Sequence, residues 1–134
     1  MRIFLDASTI ISGILFMGNE HDLLLKGNKA TLITSEDVLD ETRKTIEQKF
    51  PDDMALVEAF LKILRLQIVQ RKYYTKKLWD YTQVRDAKDK HVLAAAVASK
   101  SDYLVSGDAD LLTLKKYRTL QIIHTKDALM LLKS

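Results

Sequence analysis

Two aspartates stand three residues apart at the start of an Ala-rich segment, RDAKDKHVLAAAV, residues 85–97. Asp86 precedes the helix that this segment predicts and can cap it, with Asp89 at the third helical position; such a cap is worth about 1 kcal/mol. Asp89 also heads a stripe that continues with Val92 and Leu93, and this spacing marks the buried face of a helix. We therefore assign Asp86 to capping and Asp89 to chemistry.

Three further carboxylates follow predicted strands. Asp6 comes directly after IFL, Asp108 follows YLVS through Gly107, and Glu41 lies on the second turn of the helix after TLIT. Parallel α/β sheets bind ligands at the carboxyl ends of their strands, so we expect these side chains at one edge. Each has a structural alternative as well: Asp6 as a helix cap, Asp108 in a turn, and Glu41 as a surface residue.

Convergence of Asp6, Glu41, Asp89 and Asp108 has an electrostatic consequence. Carboxylates about 4 Å apart repel by roughly 4 kcal/mol per pair at an effective dielectric constant near 20. Protons or a divalent cation must then neutralise the group. Oxygen ligands without cysteine favour Mg²⁺ or Mn²⁺ over zinc. We expect His91 on the exposed face of its helix, pointing away from Asp89, and not as a ligand.

The elements that must position these residues alternate between short apolar runs and helical patterns. This order predicts one domain over residues 1–134, a three-layer α/β/α sandwich with a five-stranded parallel sheet and Rossmann-like topology. The predicted strands cover 3–5, 31–34, 66–69, 103–106 and 120–123. The predicted helices cover 20–26, 36–49, 53–64, 75–81, 88–100 and 126–132.

Composition narrows the class of protein. The chain has no cysteine, which excludes disulfides, Cys-ligated zinc and a thiol nucleophile. It also lacks an apolar run of about 18 residues, so we expect a cytoplasmic protein without a membrane span. A net charge of +3 permits an anionic partner. The segments RKYYTKK (71–77) and LKKYR (114–118) combine cations with tyrosines, which suits either phosphate binding or an ordinary solvated surface.

Three segments together resemble the PIN-domain nucleases over essentially the whole chain. They are FLDASTIISGIL, TSEDVLDETRKTI and RDAKDKHVLAAAVASKSDYLVSGDADLL. The last is the most specific: an aspartate opens an Ala-rich helix, Ser-Asp-Tyr-Leu-Val follows, and then comes Ser-Gly-Asp-Ala-Asp-Leu-Leu. The resemblance implies a PIN-like fold.

The resemblance also implies metal-dependent hydrolysis of RNA phosphodiester bonds with Mg²⁺ or Mn²⁺. The acidic quartet of the family matches four residues that also act as metal ligands: Asp6, Glu41, Asp89 and Asp108. Asp110 and Asp86 are accessory candidates, and Ser8 and Ser106 match small polar positions that hydrogen-bond carboxylates. Cations that would hold the RNA backbone are Arg71, Lys72, Lys76 and Lys77.

The size of the chain is similar to that of toxins in toxin–antitoxin pairs, although stand-alone family members share the same motifs. The resemblance therefore implies an RNA substrate, an antitoxin protein as a partner in the toxin case, and a homodimer.

Other functions predict different residues. A haloacid-dehalogenase-like phosphatase needs a second acid two residues after Asp6, where this chain has Ser8. A phospho-acceptor receiver domain needs an aspartate at the end of the third strand, where this chain reads QIVQRK. A non-catalytic α/β domain that binds proteins stays open, because sequence does not prove that the carboxylates converge.

Overall fold

The computed structural model describes residues 1–76 and 84–133. The strands are β1 Arg2–Leu5, β2 Thr31–Ser35, β3 Gln67–Val69, β4 Tyr103–Val105, β5 Lys116–Tyr117 and β6 Leu120–Ile123. The helices are α1 Ala7–Leu15, α2 Asn19–Leu24, α3 Glu36–Lys49, α4 Met54–Leu64, α5 Ala87–Ala98, α6 Ala109–Leu114 and α7 Thr125–Leu131. Short 3-10 turns cover Pro51–Asp53 and Arg71–Tyr73. Most of the helix predicted over 75–81 lies outside the described residues, as does Lys77.

The strands form one sheet in the order β3-β2-β1-β4-β6-β5. All neighbours pair in parallel except β5, which is antiparallel to β6. The α/β class and the parallel sheet are thus confirmed, but the sheet has six strands rather than five. The extra strand, Lys116–Tyr117, is too short to show a hydrophobic period and forms by hairpin pairing with β6.

The direction of strand order reverses beside β1. The chain builds outward from β1 to β2 and β3, then crosses back and adds β4 on the other side of β1. Such a reversal leaves a crevice at the carboxyl ends of the two central strands. Asp6 follows β1 and Ser106 follows β4, so both residues lie at this crevice.

The central strands are buried on both faces, as a sheet between two helix layers requires. Ile3, Phe4 and Leu5 in β1, and Leu104 and Val105 in β4, are all fully buried. The three consecutive alanines of α5 are also buried, and this helix packs against β2 and β4. Small side chains allow that close approach, which holds the start of α5 near the crevice.

Two short helices that the sequence pattern did not delimit, α1 and α6, begin immediately after Asp6 and Asp108. Within residues 1–76 and 84–133, no helix has both the length and the apolar character needed to cross a membrane.

Candidate active site

A cleft of about 830 Å³ opens at the crevice between β1 and β4. All four carboxylates selected from the sequence line it: Asp6, Glu41, Asp89 and Asp108. They come from four separate segments, which the parallel sheet and its crossovers bring to one edge.

Asp6 is held firmly at the end of β1. Its side chain is only 7% exposed, and its Oδ1 accepts hydrogen bonds from the backbone N–H of Thr9 at 2.9 Å and from the Ser8 hydroxyl at 3.0 Å. Its Oδ2 accepts the Ser106 hydroxyl at 2.5 Å. Asp6 therefore caps α1 while both of its oxygens are oriented by neighbours.

Ser106 links the ends of β1 and β4. Its hydroxyl donates to Asp6 and accepts the backbone N–H of Asp108 at 3.0 Å. Asp108 in turn caps α6, because its Oδ1 accepts the backbone N–H groups of Asp110 at 2.9 Å and Leu111 at 3.2 Å. One chain of hydrogen bonds thus fixes the spacing between two of the cleft carboxylates.

Asp86 and Asp89 divide as their helical phase predicts. Asp86 is the exposed cap of α5, and its Oδ1 accepts the backbone N–H of Lys88 at 2.7 Å. Asp89 is 9% exposed on the same helix, and no hydrogen bond to its carboxylate occurs within the described chain. Its oxygens are therefore available to a ligand from the cleft.

Among the described residues, the carboxylates of Asp89, Asp108 and Asp110 come close together and form a group that we call the open cluster. One oxygen from each lies within 4.8 Å of the others, a spacing that fits a single cation. Burial, with the nearby charges of Asp108 and Asp86, raises the pKa of Asp89 to about 6. The carboxylates of the open cluster thus repel one another, and their oxygen atoms are suitable ligands for Mg²⁺ or Mn²⁺.

This geometry differs from the predicted quartet in one respect. Asp110, an accessory candidate from the sequence, belongs to the open cluster, whereas Asp6 and Glu41 line the cleft with Asp89 and Asp108 but lie outside the cluster. Both oxygens of Asp6 already accept hydrogen bonds, which fix the orientation of this carboxylate beside the open cluster.

Glu41 lies at the open side of the cleft on α3, and its carboxylate is one-third exposed. Its Oε1 is 3.6 Å from Nζ of Lys88 on α5. Sequence reasoning did not select Lys88, although it stands between the two aspartates of the RDAKD motif. The contact depends on how α3 and α5 approach each other, which residue spacing within one helix does not reveal.

A second acidic group behaves differently. Glu36, Asp37 and Asp40, which we call the paired cluster, lie along the start of α3 and contact Arg71. The Arg71 guanidinium bonds Asp37 at 2.7 Å and also pairs with Asp40, and these bonds raise its pKa. The structure therefore gives Arg71 three carboxylate partners within the chain, and its contact with RNA stays a prediction.

Two other predicted RNA contacts lie at the surface. Lys72 stacks its ammonium group 5.1 Å from the ring centre of Tyr73, and Lys76 is exposed. Lys77 lies outside the described residues.

His91 is less exposed than expected. Its side chain is 32% exposed, and Nδ1 is buried 3.2 Å from Oδ2 of Asp37, without the alignment of a hydrogen bond. Its ring also meets that of Tyr74 edge-on at 6.3 Å. The helical phase placed His91 correctly away from Asp89, but α3 and residues 71–74 cover that face of α5.

Comparison with known proteins agrees with the α/β fold. A family model described as "PIN domain" matches residues 2–110. The chain belongs to the PIN-domain family.

Two solved structures show the same fold. One is VapBC2 from Rickettsia felis bound to a DNA fragment from their promoter: 18% identity, TM-score 0.67, covering 92% of this chain and 98% of that one. The other is the Sarcin-Ricin loop cleaving toxin VapC20 from Mycobacterium tuberculosis: 15% identity, TM-score 0.61, covering 89% and 98%. A comparison with curated proteins finds no match.

Proposed function

We propose that this protein is a metal-dependent ribonuclease that hydrolyses RNA phosphodiester bonds as the toxin of a toxin–antitoxin pair. The observation that carries the proposal is the open cluster, in which one oxygen from each of three carboxylates lies within 4.8 Å of the others, and two of its members, Asp89 and Asp108, line the cleft. Membership of the PIN-domain family supports the nuclease class. The structural neighbour titled as a Sarcin-Ricin loop cleaving toxin supports RNA as the substrate.

In this proposal, Asp89, Asp108 and Asp110 hold Mg²⁺ or Mn²⁺. Such an ion, when bound, lowers the pKa of a coordinated water and stabilises negative charge on the phosphate. Burial and like charges raise the pKa of Asp89 to about 6, and the positive charge of a bound ion would favour its ionised form. Asp6, fixed by the hydroxyls of Ser8 and Ser106, completes the acidic wall from the β1 side.

Glu41 faces this group across the cleft, from α3. Its carboxylate is partly exposed, so it is placed to accept a hydrogen bond from the attacking water or to join the metal ligands. Lys72 and Lys76 are exposed cations, and in this proposal they bind the RNA backbone.

The proposed protein partners follow from the same class of ribonuclease toxin. The neighbouring structure of a VapBC complex supports an antitoxin protein as a partner, and we propose a homodimer by analogy with the family. We also propose one domain over residues 1–134, because β6 and α7, which lie beyond the family match, continue the same sheet and helix layer.

The experiment is incubation of the purified protein with a pool of structured and single-stranded RNAs in Mn²⁺, Mg²⁺ or chelator. We expect cleavage that requires metal and that Asp89→Asn abolishes. Asp40→Asn, in the paired cluster, is the matched control and should cleave normally. Cleavage that persists both in chelator and in Asp89→Asn contradicts the mechanism. A wild-type protein that neither binds Mn²⁺ nor cleaves RNA supports the non-catalytic alternative.

The toxin role has its own test. Production of the wild-type chain in a bacterial host should arrest growth, and Asp89→Asn should not. Co-production of the protein from the adjacent open reading frame should restore growth. Arrest by Asp89→Asn as well contradicts a toxin that acts through this site.

A further inference from the structure

Among the charged side chains that line the cleft in the described part of the chain, acidic ones outnumber cationic ones, and this by itself disfavours the binding of a polyanion such as RNA. Its cationic ammonium groups belong to Lys88 and Lys126. Its acidic side chains are Asp6, Glu20, Glu41, Asp86, Asp89, Asp108 and Asp127. A divalent cation offsets part of this charge, but the phosphates of an approaching RNA strand still meet a negative wall. A cation of the chain at the entrance would relieve that repulsion.

Lys88 occupies such a position. Its backbone is fixed, because its N–H donates to Oδ1 of Asp86 at 2.7 Å in the first turn of α5. Its side chain is 73% exposed and reaches across to Glu41, where Nζ and Oε1 are 3.6 Å apart. This separation exceeds the usual hydrogen-bond distance, so the ion pair is loose. An exposed pair of this kind contributes little stability and is readily exchanged for another partner.

Lys88 also stands at a junction between two cavities. A smaller cavity of about 180 Å³ lies between α3 and α5 and shares Glu41, Lys88 and Val92 with the main cleft. A strand whose scissile phosphate lies at the open cluster would pass this junction on its way out. Lys126 lines only the main cleft, on the side of α7.

We infer that Lys88 is the internal counter-cation of the metal-free cleft and becomes a phosphate-binding residue when metal and RNA occupy it. Without metal, its ammonium group pairs with Glu41 and offsets the acidic charge. A divalent cation held by Asp89, Asp108 and Asp110 would add positive charge to the cleft, which disfavours the ammonium group of Lys88 in its place beside Glu41. The released side chain, a flexible point charge with three donors, then binds an RNA phosphate beside the scissile one. This inference rests on the proposed ribonuclease function.

The first arm of the test measures Mn²⁺ binding alone by calorimetry. Lys88→Gln should bind Mn²⁺ about three- to tenfold more tightly than the wild type, because a competing positive charge is removed. Lys90→Gln is the matched control: it removes a lysine from the same helix two residues away, outside the cleft lining, and should leave the affinity unchanged. Lys88→Arg should behave like the wild type. Equal Mn²⁺ affinity in Lys88→Gln and the wild type overturns the counter-cation role.

The second arm measures cleavage of a single-stranded RNA at several salt concentrations with saturating Mn²⁺. Lys88→Gln should raise KM about five- to tenfold with little change in kcat, and reduce the slope of log KM against log salt by about 1. Lys88→Arg should restore the slope, and Lys90→Gln should keep it. An unchanged slope in Lys88→Gln overturns the phosphate contact.

The two proposals fail separately. A wild-type protein that leaves the RNA intact contradicts the ribonuclease function. In that case the binding of the intact RNA can be measured by fluorescence anisotropy. The salt dependence of its Kd, compared between Lys88→Gln and the wild type, then decides whether Lys88 contacts phosphate.

Discussion

Two acidic groups of the chain, the paired cluster and the open cluster, differ in what neutralises them. In the paired cluster, Arg71 and the Tyr74 hydroxyl bond the Asp37 carboxylate at 2.7 and 2.6 Å. In the open cluster, Asp89 accepts no hydrogen bond from the described residues, and its nearest charges are other carboxylates. The first group is complete within the chain, whereas the second needs an external proton or cation.

The pKa values follow this difference. Burial raises the pKa of Asp37, but the hydrogen bonds from Tyr74 and Arg71 outweigh burial and hold the pKa below its ordinary value. For Asp89, burial and like charges act in the same direction and raise the pKa to about 6. An acidic cluster is therefore a candidate for function when its own chain does not supply the counter-charge.

The largest predicted effect is on RNA cleavage, which should depend on the open cluster and not on the paired cluster. Asp108→Asn removes a carboxylate from the open cluster but keeps a side chain that caps α6 well. We expect RNA cleavage in Mn²⁺ to fall by at least about 100-fold, because charge stabilisation at a reacting phosphate is lost. Asp40→Asn in the paired cluster should stay within about twofold of the wild type, a change of less than 0.5 kcal/mol. Equal losses in both variants would refute the functional distinction.

The next effect is the pH dependence of stability without metal. Since the folded-state pKa of Asp89 is raised, its contribution to stability is full below pH 3.8 and is lost as pH rises through about 6. A shift of this size corresponds to roughly 3 kcal/mol at most, and solvent screening reduces it to about 1–2 kcal/mol. Asp89→Asn should therefore equal the wild type at pH 3.5 and be more stable at pH 7.

Thermal unfolding in chelator across this pH range measures that difference, since other carboxylates titrate alike in both proteins. Added Mn²⁺ should stabilise the wild type at pH 7 and leave Asp89→Asn unchanged. A constant difference between the two proteins at every pH would show that Asp89 does not titrate as inferred.

The two clusters also show which features could be predicted from the sequence and which could not. The capping role of Asp86 and the burial of Asp89 follow from the helical period, and the arrival of Asp6 and Asp108 at one cleft follows from the rule for parallel strand ends. The pairing of Arg71 with Asp37 joins residues 34 positions apart through long side chains, so neither pattern reports it. Glu41 and Lys88 are also far apart in the sequence and meet through long side chains, so the sequence pattern did not predict their contact either.

Short secondary-structure elements were the other feature that the sequence pattern did not predict. The strand β5 has two residues, and its pairing with β6 depends on a hairpin in which Arg118 adopts a positive φ of 56°. Periodicity needs more residues than this to distinguish strand from loop. The membership of Asp110 in the open cluster likewise depends on the first turn of α6, a helix of six residues.

A smaller effect tests the paired cluster. Tyr74→Phe removes the hydroxyl that donates to Asp37 from a side chain that is 1% exposed. We expect a loss of about 1 kcal/mol in the free energy of unfolding at pH 7, measured with urea. Because the lowered pKa of Asp37 contributes stability above its ordinary range, the loss should shrink as pH falls below about 4. Mn²⁺ affinity should not change, and a weaker affinity would mean that the two clusters are coupled.

The smallest effect tests whether Asp86 acts on the open cluster through charge or only through its cap. Serine caps helices about as well as aspartate, so Asp86→Ser should change stability by less than about 0.5 kcal/mol, whereas Asp86→Ala should cost about 1 kcal/mol. Asp86→Ser also removes a charge that raises the pKa of Asp89. The pKa of Asp89, followed by NMR, should therefore fall slightly below about 6 in Asp86→Ser and in Asp86→Ala alike. A fall in the alanine variant alone would assign the effect to a displaced helix start, because only that variant loses the cap.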